Sequence, residues 1–326
     1  MSSTSATDGL GQHATLRVIL ISTAAALGGF LFGFDTAVIN GAVDAIRAHF
    51  GLNAGEIGIT VSCALLGSAV GAWYAGMLAN RFGRVRTMQV AAVLLVAAAA
   101  GSGLAMAVWD LVLWRLVGGI GVGVASVIAP TYIAEVAPAR IRGRLGSMQQ
   151  LAIVLGIFAA LLSDAWLAGA AGGAAEVLWL GLPAWRWMFL AAVTPALIYG
   201  VLVLGVPESP RHLVAKGRLA DARVVLQKVL SMHSAAALDK KLGDIEASLR
   251  SEHKPRLRDL CSKGTGLLPV VWIGIALSVF QQFVGINVIF YYSATLWHSV
   301  GFSEADSFTI TVVTSIVNVL VTLVAI

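Results

Sequence analysis

Charge is scarce in this chain. Only 12% of its 326 residues are Asp, Glu, Lys or Arg, about half the share of an average soluble domain. With 58% hydrophobic residues and a mean hydropathy of +0.85, that deficit excludes a disordered chain. Cysteine is nearly absent: Cys63 and Cys261 are too few and too far apart for a disulfide framework or a metal site. Proline is sparse too, at 8 residues against 35 glycines. The pI near 9.5 would ordinarily direct attention to nucleic acid. Here the basic residues sit in short gaps between long apolar runs, which excludes that partner. The six histidines (13, 49, 212, 233, 253 and 298) fall in tails, loops or run ends. None stands where a buried base would serve a nucleophile, and no His-Glu-x-x-His occurs, so the expectation is no enzyme, no metal and no cofactor.

What fills the chain is apolar sequence. A bilayer-spanning helix needs about 20 mainly apolar residues. Eight such runs are present, at 18–40, 57–79, 87–108, 111–133, 148–167, 185–206, 267–297 and 308–326. None alternates as a barrel strand does. With no water in the hydrocarbon core to satisfy backbone groups, the runs must be helices, and the fold class is an all-α integral membrane protein. The first run is too long for a signal peptide, lacks a small-residue cleavage site and carries Asp35 near its end. Residues 1–16, rich in Ser, Thr, Gly and Ala, read as a loose tail.

The charges that exist are unevenly shared between the two sides. Nineteen of the 22 Lys and Arg fall in the tail, in the gaps after the second and fourth runs, and in residues 207–266. The positive-inside rule therefore puts the N-terminus and the 207–266 segment in the cytoplasm. The opposite side has only Arg47 and Arg186, while Arg115 lies within a run. Within 207–266, Ala222, Val225, Leu226 and Val229 recur at helical spacing, as do Leu238, Leu242, Ile245 and Leu249. These predict short amphipathic helices on the cytoplasmic face, a linker, a gate or both. The expected organisation is a cytoplasmic tail at 1–16, a six-helix bundle at 17–206, a cytoplasmic helical linker at 207–266 and two spans of a second bundle at 267–326. Ile326 lies inside an apolar run, so the chain reads as truncated within that second bundle.

Polar residues at membrane depth usually face a cavity, a partner or a pathway. Asp35 lies in Gly-Phe-Asp-Thr on the first run, and its side chain is too short to snorkel. Arg115 opens the fourth run, four residues from its start, and either snorkels or pairs. Glu135 closes that run. Amides form a second set: Gln150 on the fifth span, Gln281, Gln282 and Asn287 on the seventh near Tyr291 and Tyr292, and Asn318 on the eighth. Amides with aromatic rings suit a neutral polyhydroxylated ligand, and equally serve as interhelical glue. The interruption of the seventh span by Gly285 favours the binding reading. The small-xxx-small pairs Gly29/Gly33, Gly67/Gly71 and Gly119/Gly123 read as helix-packing seams. Gly119–Gly123 is no nucleotide loop, having no strand before it and no Lys-Ser/Thr after it.

Six segments together resemble the sugar porter family of the major facilitator superfamily. They are GGFLFGFDTAVING at 28–41, GMLANRFGRVRT at 76–87, RLVGGIGVGVASVIAPTYIAEVAPARIRG at 115–143, QQLAI at 149–153, PESPRHL at 207–213 and QQFVGINVIFYYS at 281–293. The family pattern has Asp where this chain has Asn80, Arg where it has Val85, and Trp where it has His212. The resemblance implies a major facilitator fold, with a complete first six-helix bundle, the first two helices of the second, and substrate held between bundles near the midplane. It implies that Asp35 is the proton-coupling acid and Arg115 its partner. It implies that Gln150, Gln281, Gln282, Asn287 and Tyr292 contact sugar, with Asn318 an addition. Arg81, Arg84, Glu135, Arg142, Glu208 and Arg211 are implied to form a cytoplasmic gating network. The implied function is transport of a pentose or hexose across the cytoplasmic membrane, coupled to protons as in the bacterial symporters of the family. The partners expected are a small neutral sugar, protons and the lipid bilayer, with no nucleic acid and no obligate protein. The alternatives are a facilitative sugar or polyol uniporter, a membrane sugar sensor, which would carry a tail longer than the roughly 16 residues here, and an inactive fragment.

Overall fold

The computed structural model describes residues 4–138, 140–230, 234–251, 260–262 and 266–326. Among these, eight helical stretches are long and apolar enough to cross a membrane. They are α1 (Thr4–Val38, spanning from Thr15), α3 (Ala54–Phe82), α4 (Arg84–Leu104), α5 (Val108–Val136), α6 (Arg142–Ala171), the pair α7 (Ala184–Ala191) and α8 (Val193–Leu204), the pair α12 (Pro269–Phe283) and α13 (Ile286–Ser299), and α14 (Glu304–Ala325). Short α2 (Val43–Phe50) follows the first span, and α9 (Pro210–Ala215), α10 (Leu219–Leu230) and α11 (Ala235–Ser251) follow the sixth. Two small antiparallel hairpins complete the element list, β1 (Val177–Trp179) with β2 (Leu182–Pro183), and β3 (Cys261–Ser262) with β4 (Gly266–Leu267).

The reading of residues 1–16 as a loose tail is corrected from residue 4 onward, because α1 is continuous from Thr4. Once an apolar span has nucleated a helix, each added turn costs little, so Ser/Thr-rich composition does not stop it. The sixth apolar run is two helices rather than one. Pro195 has no N–H to give the carbonyl four residues back, and the helix breaks at Ala192. The start of α3 is fixed by a capping box: the Asn53 side chain accepts from the N–H groups of Gly55 and Glu56, and Glu56 Oε2 accepts from the Asn53 N–H at 2.9 Å.

Two glycine seams set the helix spacing of the first bundle. A methyl group at Gly67, Gly71, Gly119 or Gly123 would collide with backbone of the facing helix, so α3 and α5 pack backbone to backbone. Gly33 and Gly156 do the same for α1 against α6. The core has two halves. One, at the end carrying the 207–266 segment, gathers Met88, Ile128, Tyr132 and Tyr199. The other gathers Ile39, Leu111, Trp185 and Phe189 and also takes in Tyr291 and Phe308 from α13 and α14. The second-bundle helices are thus seated on the first bundle at one end only. The α12 segment has no buried residue. The periodic apolar residues of the linker make their own small core, in which Leu213, Ala222, Leu226, Leu238 and Leu242 are buried together.

Candidate functional site: a buried ion pair between two charged ends

Asp35 and Arg115 meet inside the bundle. Arg115 Nη1 donates to Asp35 Oδ1 at 3.1 Å and to the Asp35 carbonyl at 3.3 Å. The arginine side chain is 1% exposed, the aspartate 23%. Arg115 therefore pairs rather than snorkels, and its guanidinium carbon lies over the Phe189 ring, 5.8 Å from the centroid. Among the described residues its Nε and Nη2 find no hydrogen-bond partner. The buried guanidinium is held by one carboxylate that is itself only partly buried. Tyr291 of α13, buried beside them, approaches Thr36 and lies within the electrostatic reach of both charges.

The amide set is only partly assembled. Gly285, at φ +79°, separates α12 from α13. Across that break Asn287 Nδ2 donates to Gln282 Oε1 at 2.6 Å. Gln281 and Gln282 are exposed, Asn287, Tyr292 and Asn318 half-buried, and Gln150 exposed on α6. No hydrogen bond joins Gln150 or Asn318 to the α12–α13 amides.

At the end carrying the linker, Arg84 and Glu135 form a two-pronged ion pair, Nε to Oε2 at 3.0 Å and Nη2 to Oε1 at 2.8 Å. Glu208 closes over the start of α4, accepting from the N–H groups of Arg84 at 2.9 Å, Val85 at 3.2 Å and Ser209 at 2.8 Å. A carboxylate on free N–H groups at a helix start is favoured by the helix dipole as well. Gly83, at φ +101°, makes this possible, since a side chain there would strike Glu208. Arg84 Nη1 also lies 3.0 Å from His212 Nδ1. Not every expected member of the network joins it. Arg81 is exposed and stacks on Phe82 at 5.3 Å, turned away by the bend at Gly83. Arg142 donates to the Ala137 carbonyl at 3.3 Å. Arg142 and Arg211 share with Arg84 and Glu135 the wall of a cavity of about 780 Å³ beside the linker helices.

Three residues escaped the sequence reading. Asn40 ties α1 to α13: its amide donates to the Phe290 carbonyl at 2.8 Å and to Ser293 Oγ at 2.9 Å, and its oxygen accepts from the Ala294 N–H at 3.2 Å. Gln149, not its neighbour Gln150, is the buried amide of α6, pressed on Gly29 without a hydrogen-bond partner. Asp164 is fully buried, its carboxylate pressed on the backbone of Gly41. An aspartate in an apolar run was a signal available for Asp164, as it was for Asp35.

The sequence model of the family described as "Sugar (and other) transporter" matches residues 21–326. The chain belongs to this sugar transporter family. Among its relatives, the glucose transport protein of Synechocystis is 58% identical over 310 residues, covering 95% of this chain and 65% of the relative. The arabinose-proton symporter of Bacillus subtilis is 36% identical, covering 97% of this chain and 66% of the relative. The chain thus spans about two thirds of the length of these curated sugar transporter relatives. Two solved structures share the fold. The proton:xylose symporter XylE, bound to 6-bromo-6-deoxy-D-glucose, superposes with a TM-score of 0.82 at 35% identity, covering 95% of this chain and 69% of that one. The partially occluded inward open form of XylE from E. coli gives 0.81 at 33% identity, covering 95% and 72%. The fold is therefore the major facilitator fold, and the protein is a multi-pass membrane protein of that family.

Proposed function

We propose that this protein carries a monosaccharide, a pentose or hexose, across the cytoplasmic membrane by alternating access, in symport with a proton. The observation that carries the reading is the Asp35–Arg115 pair, an ion pair at membrane depth with one buried and one partly exposed member. The names of the relatives, which include glucose transport and arabinose-proton symport, favour a sugar as cargo. Gln150, Gln281, Gln282, Asn287, Tyr292 and Asn318 are the proposed sugar contacts, with Tyr291 linking the cargo span to the ion pair. Arg84, Glu135 and Glu208, with Arg142 and Arg211 along the adjoining cavity, are the proposed gate at the cytoplasmic end, and Arg81 serves at its rim. The N-terminus and the 207–266 linker are cytoplasmic by their charge. On that orientation Asn40 ties α1 to α13 at the outer end.

Coupling follows from the pair. A proton on Asp35 cancels the charge that holds Arg115, the helices carrying them loosen, and sugar and proton cross together. Asp35→Asn fixes the uncharged form. In proteoliposomes the variant is expected to lose sugar accumulation driven by a pH gradient and to keep sugar binding and counterflow. Continued uphill accumulation with proton uptake in Asp35→Asn would remove Asp35 from the coupling role. A parent protein that exchanges sugar without moving protons is a uniporter.

A further inference from the structure

The linker end of the first bundle also carries two joined grooves beside the gate residues. An apolar groove of about 590 Å³ runs along the α3–α4 hairpin, walled by Leu78, Phe82, Val90, Val93 and Leu94. A second groove of about 520 Å³ adjoins it, and the two share Phe82, Arg86 and Gln89. The second groove is cationic: Arg81, Arg86, Lys216 and Arg218 line it, and all four are exposed. The one carboxylate lining it, Glu208, is already occupied by the N–H groups of Arg84, Val85 and Ser209. Arg218 also pairs with Asp221 at 2.7 Å, an exposed contact that an incoming phosphate must share. His212, also in the wall, is turned to Arg84. The junction lies where α3 ends at Phe82 and α4 begins at Arg84, the boundary between apolar spans and charged linker. That boundary is the depth of phospholipid headgroups.

We propose that these joined grooves bind one anionic glycerophospholipid, its phosphate among Arg81, Arg86, Lys216 and Arg218 and an acyl chain along Val90, Val93 and Leu94. The apolar groove decides the source of the phosphate. A soluble phosphate compound satisfies the cations and leaves the adjoining apolar wall empty, whereas a lipid fills both. The cations come from two separate parts of the chain, the α3–α4 turn and the α9–α10 turn, so the bound lipid staples the linker to the hairpin that carries the gate. Basic residues near a membrane surface each favour an anionic lipid by about fivefold in affinity.

Native mass spectrometry of the delipidated protein tests this, with phosphatidylglycerol, phosphatidylcholine and glycerol 1-phosphate as probes. One phosphatidylglycerol is expected to be retained in preference to phosphatidylcholine, and glycerol 1-phosphate is expected neither to bind nor to displace it. Arg86→Gln with Lys216→Gln should weaken phosphatidylglycerol by about 25-fold and leave phosphatidylcholine unchanged. Val93→Trp, which fills the apolar groove at an exposed position, should weaken both lipids. Equal retention of the two lipids by the parent overturns the proposal. So does unchanged phosphatidylglycerol binding in the charge variant or in Val93→Trp, and so does displacement by glycerol 1-phosphate.

Discussion

His212 puts a titratable ring into a nest of fixed charges. Burial pushes its pKa below the ordinary value of 6.5, Arg84 and Lys216 push the same way, and Glu208 and Glu135 oppose them. The guanidinium of Arg84 can only donate, so the 3.0 Å contact needs His212 Nδ1 without a proton. The unfolded chain takes up a proton as pH falls through 6.5, and the folded chain does so only at lower pH. Stability from this ring is thus present above that value and lost as pH drops below it. Acidification from about pH 7.5 to about pH 5.5 should lower the parent's thermal midpoint more than that of His212→Gln, measured in the same detergent. Equal slopes would free His212 of this role. The same scale shows what a sequence discloses about a site. Asp35 and Arg115 stood out because a charge among apolar residues is rare and has few explanations. Gln149 and Gln150 could not be ranked that way. They are about 100° apart on a helix that is apolar nearly all round, and such a helix has no polar face to give its phase. Asn40 was invisible for another reason, since its partners on α13 lie some 250 positions away in sequence.

Helices were legible as elements because membrane thickness sets their length, and α3, α5 and α6 extend only a few residues beyond the apolar runs that announced them. The glycine seams were legible too, since spacing by four puts glycines on one face. The hairpins β1–β2 and β3–β4 and the helix α2 were not, being too short to carry a periodic signal. The broken seventh span joins both cases: Gly285 marked the interruption, but only the structure shows Gln282 and Asn287 bonded across it at 2.6 Å. That bond makes a specific prediction at this scale. Gln282→Ala and Asn287→Ala should each weaken sugar binding by about 0.5–1.5 kcal/mol, and the double variant should lose less than the sum, because the second truncation no longer removes an intact pair. Gln150→Ala, on a different helix, should add independently to either one. Calorimetric titration with sugar checks all of these. Parent-like binding in the three single variants would reduce the amides to helix glue.

Taken whole, the molecule gathers its basic residues at one end, while the charges of the other are mostly acidic, Asp44, Glu56, Asp110, Glu176, Glu304 and Asp306 among them. Arg84, Glu135 and Glu208 lock the first bundle to itself at the basic end, while α13 and α14 reach the first bundle at the other end through Asn40, Ser293 and Glu304. Every assignment of inside and outside rests on which end is cytoplasmic. The two cysteines are placed to decide this. Cys63 is free and buried within α3, its thiol close to the Thr60 and Val112 carbonyls. It should stay silent toward a membrane-impermeant thiol reagent from either side. Cys261 follows the linker helices in the segment where basic residues are most numerous. In intact cells it should remain unlabelled, and permeabilisation should expose it. A Cys261→Ser control should abolish the signal, which separates labelling of Cys261 from any reaction at Cys63. Labelling of Cys261 in intact cells would invert the topology. The Asn40 contact would then lie at the cytoplasmic end and the Arg84–Glu135–Glu208 network at the external one. Because the charge asymmetry involves nineteen of 22 basic residues, such an inversion would have to overcome the strongest orienting signal the chain contains. The expected outcome is therefore no label without permeabilisation.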